Sequence, residues 1–85
     1  MKEGENMKKY ENQRNITGNL LKKARIEKSM SKTDLSLKLE LQGIYLTQTE
    51  IHRIEENKMS LKDFELIGLV KTLNIDFNEL KDLLE

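Results

Sequence analysis

Gln48, Thr49, His52 and Arg53 recur at helical spacing just behind Thr47, a residue type that starts helices. Thr47 and Glu50 stand three apart, the pattern in which a hydroxyl and a carboxylate each cover an orphan backbone amide. A helix starting there puts Ile51 and Ile54 on one face and turns Gln48, Thr49, His52 and Arg53 to solvent. These side chains match base edges. Gln can bond adenine N6 and N7, Arg guanine O6 and N7, and the Thr methyl can touch a thymine methyl. The same residues also make an ordinary solvated helix face, and side-chain type alone does not separate the two readings. His52 with Glu55 or Glu56 supplies two metal ligands on one face, without a third and without any Cys. No Ser/His/Asp set, Gly-rich phosphate loop or paired-carboxylate cleft stands out, and Ser31 and Ser60 are explained as helix caps. The expectation is therefore no enzyme, no metal and no cofactor.

The helix that carries these residues needs neighbours to prop it outward, and the punctuation of the chain supplies them. Cap signals recur at Ser31…Asp34, Thr47…Glu50, Ser60…Asp63 and Asp76…Glu79. Exit signals interleave at Ser29, Gly43, Asn57 and Asn74. This spacing predicts an all-α chain of five helices, at 17–29, 32–42, 48–56, 62–73 and 77–84. Leu20, Ala24 and Ile26 are expected inward on the first, Leu35 and Leu39 on the second, Ile51 and Ile54 on the third. The fourth is apolar on more than one face (Leu61, Phe64, Leu66, Ile67, Leu69, Val70, Leu73), and the fifth offers Leu80, Leu83 and Leu84. One stretch is ambiguous. Leu35, Leu37, Leu39 and Leu41 alternate with polar residues at the strand period, and with Gln42-Gly43 as a turn and Ile44-Tyr45-Leu46 returning they also fit a hairpin. Leu is a strong helix former and no β-branched residue lies between 34 and 43, which favours helix.

Composition bounds the rest. At 85 residues and 10.0 kDa the chain has room for one small core. The absence of Cys excludes a disulfide scaffold, a zinc ribbon and a thiol nucleophile. Leu, Ile, Val and Phe make up 24 of the 85 residues, enough to order a domain. Residues 1–15 hold only three apolar residues, Met1, Met7 and Tyr10, and are expected to form a flexible N-terminal arm before a domain at 16–85. No apolar run reaches the length of a membrane span or a signal peptide, so a cytoplasmic protein is expected. Lys and Arg balance Asp and Glu, 15 against 15, but residues 1–30 carry +4 and residues 61–85 carry −3. Such a dipolar domain can present a positive end to phosphates despite a pI near 6.6.

Two short, adjacent helices, the second strongly capped, form the layout of a helix-turn-helix. The run Gly18-Asn19-Leu20-Leu21-Lys22-Lys23-Ala24-Arg25, followed by Met30-Ser31-Lys32-Thr33-Asp34-Leu35, resembles the first two helices of the phage-repressor/Cro-type helix-turn-helix family. Thr47 to Lys58 is similar to its recognition helix and exit, and Leu73 to Leu80 to its last helix–turn–helix, so the likeness covers residues 16–84. The resemblance implies a compact five-helix lambda-repressor-like domain that regulates transcription, repressor type, by binding double-stranded DNA. It implies base-reading roles for Gln48, Thr49 and Arg53, with His52 less central. It places Lys32, Thr33, Thr47, Asn57 and Lys58 against backbone phosphates, and an ion pair between Arg25 and Glu55. Where the family usually has Gln, this chain has Lys32, a point charge without amide geometry.

The departures are specific. The connection Glu40 to Leu46 is about four residues longer than the minimal turn, so either the second helix gains a turn or the loop bulges. Glu50 and Glu56 flank the reading face and would repel phosphates unless engaged in a cap or turned away. A homodimer through the fourth and fifth helices is expected, with Leu66, Leu69 and Leu84 as contacts, and neither a membrane nor a small-molecule ligand is expected. The acidic C-terminal third and the apolar excess of the fourth helix suit another reading, a protein-interaction module of antitoxin or anti-repressor type that keeps the fold without reading DNA.

Overall fold

The structure is a computed structural model that describes residues 10–84. Of the expected arm, residues 1–9 lie outside the described residues. Five helices follow one another among the described residues: α1 (Gly18–Glu27), α2 (Lys32–Glu40), α3 (Gln48–Glu55), α4 (Asp63–Leu73) and α5 (Phe77–Lys81). No strand occurs among the described residues. The described fold is all-α.

Local chemistry starts and stops these helices. Ser31 and Asp34 exchange hydrogen bonds with each other's amides at 2.9 and 3.0 Å, as do Thr47 and Glu50 at 3.1 and 2.9 Å. Asp76 accepts from the Asn78 amide while Glu79 reaches back to the Asp76 amide. The Ser31 amide and hydroxyl, with help from Lys38, hold the Asp34 carboxyl below its ordinary pKa of 3.8. All four exit residues adopt positive φ: Ser29 at 55°, Gly43 at 79°, Asn57 at 60° and Asn74 at 52°. The start of α4 differs from expectation. Neither Ser60 nor Asp63 is its cap; the capping position is Lys62, whose amide donates to Glu65 Oε1 at 2.8 Å. A carboxylate at the third helical position closes that end without a hydroxyl, and Glu65 is buried in doing so.

The alternating stretch is helical. Leu35 and Leu39, four apart, are buried in the core, whereas Leu37 is 57% and Leu41 88% exposed. At about 100° per residue, positions four apart share a face and positions two apart oppose each other. The helix stops at Glu40, and the extra residues form a bulging loop rather than an added turn. Gly43 turns the chain, the Ile44 amide bonds back to the Leu39 carbonyl at 3.0 Å, and Ile44 and Leu46 are buried. Ile44 Cδ1 packs where a Cβ on Gly68 of α4 would stand. Ser36 donates its hydroxyl to the Leu46 carbonyl and Gln42 its amide to Thr72. The loop is thus pinned to α2 and α4 at both ends.

The core joins Leu21, Leu35, Leu39, Ile44, Leu46, Ile51, Ile54, Leu69, Leu73 and Ile75. Around it α3 packs on α1 and α2, and α4 packs on the same two helices from the other side. Two expectations need correction. On α1 the buried stripe is Gly18, Leu21 and Arg25; Leu20 and Ala24 are half-buried and Ile26 is 56% exposed. Arg25 rotates the stripe because it has an acidic partner inside. On α4, Leu69 is only 1% exposed and belongs to the core, so it is no dimer contact, while Leu66 is half-buried and Leu84 open.

Candidate nucleic-acid interface

α3 is eight residues long, and Ile51 and Ile54 are its only fully buried apolar anchors. Gln48, Thr49, His52 and Arg53 are all exposed on the opposite side. Thr47 is exposed at the start of the helix, and Glu50 is held in the cap with it. Glu56 is exposed with no such engagement. Thr33 on α2 donates its hydroxyl to Gln48 Oε1 at 3.2 Å, so the Gln48 amide keeps its NH2 donors free while its oxygen is fixed. Lys32, Gln48, Thr49 and His52 line one shallow depression between the starts of α2 and α3. A phosphate or a base edge entering there meets one cation, one amide and one imidazole.

Three polar ties set the pose of α3. Arg25 meets Glu55 in a two-pronged ion pair, Nε to Oε2 at 2.7 Å and Nη2 to Oε1 at 3.1 Å, and Nη1 also donates to the Met30 carbonyl at 2.7 Å. The pair is almost dry: Arg25 is 7% and Glu55 3% exposed. The second tie is the helix exit. The Asn57 amide bonds to the Ile54 carbonyl at 3.0 Å and the Lys58 amide to the Arg53 carbonyl at 2.8 Å, the paired exit that a left-handed residue permits. Asn57 Oδ1 then accepts from the Gly18 amide at 2.9 Å, capping α1 with the end of α3. Only glycine fits at 18, since a Cβ would stand 2.7 Å from the Ile54 carbonyl oxygen and closer still to that of Glu55. The third tie is Asn15, which donates to the carbonyls of Ile54 at 3.1 Å and Met59 at 2.9 Å and accepts from the Thr17 amide and hydroxyl.

A helix-turn-helix family model matches residues 21–80, 60 of the 85 residues. The chain belongs to the phage-repressor/Cro-type helix-turn-helix family. No curated protein and no solved structure matches it. The family is a DNA-binding one.

The structure brings Lys32, Gln48, Thr49 and His52 together around one depression and Thr33 onto Gln48, while Arg53 is exposed further along α3. Lys58 stands exposed at the other end of α3. Asn57 is half-buried, and its side-chain oxygen accepts from the Gly18 amide. The backbone amides of Asn57 and Lys58 are engaged in the exit, and the Lys58 side chain is exposed beside them. Sequence reasoning missed Asn15 and Gly18 altogether. Both act on carbonyls about forty residues away in the chain, where no local pattern can register them. Among the described residues no group of three or more His, Cys, Asp or Glu side chains could hold a metal, and no helix is long and apolar enough to cross a membrane.

Proposed function

We propose that this helix-turn-helix protein is a transcriptional regulator of repressor type that reads the major groove of double-stranded DNA with α3. The observation that carries the reading is the row Gln48, Thr49, His52 and Arg53, exposed on a helix whose back face and far end are locked by the core and by three polar ties. The groove is about 12 Å wide and a helix with side chains about 10–12 Å across, so α3 fits N-terminus first. Gln48 and Arg53 hydrogen-bond base edges, Thr49 offers a methyl to thymine, and His52 lies beside them. Lys32, Thr33, Thr47 and Lys58 bear on the phosphates that flank the groove.

The regulator works as a homodimer through α4 and α5. Leu66, Ile67, Val70, Lys71, Phe77 and Leu80 line a largely apolar groove between these helices; its Ile67 and Phe77 are well exposed, as is Leu84. A two-fold contact joins the same patch of both copies, which places two recognition helices on half-sites ~34 Å apart. The test is DNA affinity against salt concentration, followed by selection of bound sequences from random duplexes. A groove binder weakens steeply as salt rises, by about 0.9 log units per decade for each phosphate neutralised. A flat response, or no retention on DNA at low salt, refutes the reading.

A second reading has its own observation. Leu37, Leu41 and Tyr45 are 57, 88 and 74% exposed on α2 and the long loop, well apart from the α4–α5 groove in the chain. An interaction module of antitoxin or anti-repressor type would use such side chains to bind protein. The flat salt response that refutes DNA reading supports this one.

A further inference from the structure

Arg14 stands outside the matched stretch and outside the reading face, yet the fold carries it to the exit of the recognition helix. Its neighbour Asn15 is the reason. The Asn15 amide grips the carbonyl of Ile54, in the last turn of α3, and that of Met59, just past the exit. Consecutive Cα atoms are 3.80 Å apart. Arg14 and Lys58 are therefore each one residue from the two ends of a single 2.9 Å hydrogen bond, Asn15 Nδ2 to Met59 O. Both are exposed, and neither makes a hydrogen bond or ion pair with another described side chain.

We propose that Arg14 is a phosphate ligand that forms, with Lys58, a two-cation clamp on the DNA strand bordering the exit of α3. The assignment rests on the DNA reading given above. With α3 in the groove N-terminus first, its C-terminal exit lies toward a wall of the groove, and a wall of the groove is sugar-phosphate backbone. Glu56 is exposed at the start of the same exit and repels that backbone. Lys58 alone only balances it; a second cation makes the local charge positive. An Arg suits the place because its planar fork bonds two phosphate oxygens at once. Asn15 holds the Arg14 backbone in position before DNA arrives, so little ordering is left to binding.

The contact is independent of sequence, so the probe is a fluorescently labelled duplex of arbitrary sequence, two helical turns long. Its affinity for the full chain is measured by anisotropy across a salt series. Replacing Arg14 by Gln weakens binding and reduces the log–log salt slope by about 0.9, because one phosphate contact fewer is made. Arg14→Lys keeps the slope, and Lys58→Gln loses the same amount as Arg14→Gln. Asn15→Ala, checked by circular dichroism to be folded at the assay temperature, loses slope in the same way, because the anchor is gone. Arg14→Gln with the wild-type slope, alongside a Lys58→Gln that loses it, overturns the clamp and leaves the DNA reading standing. A wild type that is itself insensitive to salt overturns the DNA reading, and the clamp with it.

Discussion

Replacing Arg25 by Ala removes the guanidinium from a pocket that stays closed. The two bonds to Glu55 at 2.7 and 3.1 Å and the bond to the Met30 carbonyl at 2.7 Å are lost together. The carboxylate of Glu55, only 3% exposed, is left without its counter-ion where water reaches it poorly. Breaking a buried pair from one side costs about 3–5 kcal/mol, since the remaining charge keeps its desolvation penalty and loses its attraction. Domains of this size are stable by roughly 0.05–0.15 kcal/mol per residue, about 4–13 kcal/mol in all, so the loss is a large share of the total. Urea unfolding followed by circular dichroism measures it as a fall in the midpoint at unchanged m. The thermal midpoint drops with it by roughly 12 °C or more. The double variant Arg25→Met with Glu55→Leu separates charge from shape. Two apolar residues of similar volume recover most of the loss, because neither charge remains to be desolvated. If Arg25→Ala unfolds within about 1 kcal/mol of wild type, the pair is solvated in solution and the account of how α3 is held is wrong.

Gly18→Ala forces a methyl into the carbonyls of Ile54 and Glu55 and is expected to destabilise by more than the few tenths of a kcal/mol typical of a surface change, read from the same urea curves. Arg53→Ala costs about 1–3 kcal/mol at one base position and relaxes specificity there, seen as loss of preference at that position in sequences selected from random DNA; an equal loss on every sequence refutes base reading by Arg53. Ile67→Glu puts a charge into the apolar groove of α4 and α5 and yields a monomer by sedimentation at concentrations where the wild type is a dimer. Asp34, held below its ordinary pKa by Ser31, gives stability that is fully present above that value and lost as pH falls through the lowered one; Asp34→Asn therefore flattens the acid side of the stability profile below about pH 4, and an unchanged profile refutes the assignment.

What could be read from the sequence is what local chemistry decides. The three capping boxes each join residues three apart, and the four exits lie at residues able to adopt positive φ, so helix number and order follow from short-range pattern. The exposed face of α3 was legible for a similar reason, since Ile51 and Ile54 fix which side turns inward. Distant partners defeat such reading. The Arg25–Glu55 pair was legible only through the family resemblance, since its partners stand 30 residues apart and no hydrophobic period turns an Arg inward. Leu37 and Leu41 share a strand-like alternation with Leu35 and Leu39, and helix propensity was the signal that set Leu35 and Leu39 inward, where the structure has them. Asn57 was legible as a helix exit, but not the bond its side-chain oxygen accepts from Gly18, 39 residues away.

The concentration of directional bonds at one end of α3 follows from how little apolar surface that helix has. Two buried Ile side chains hold it against the core, but apolar contact is non-directional, and a rod resting on two of them can roll or slide at small cost. The base reading proposed for α3 requires that it do neither, because a hydrogen bond weakens steeply away from its preferred line. The Arg25–Glu55 pair fixes rotation about the helix axis, and Asn15 and Asn57 fix its far end against α1. At the near end Thr33 restrains the Gln48 oxygen before any base is met. Each tie reaches α3 from α1, from α2 or from the residues leading into α1, so the pose of the reading face is set by helices that need never touch a base. It follows that a substitution at Asn57 should disturb reading through α3 and stability together, whereas one at Arg53 should change reading alone.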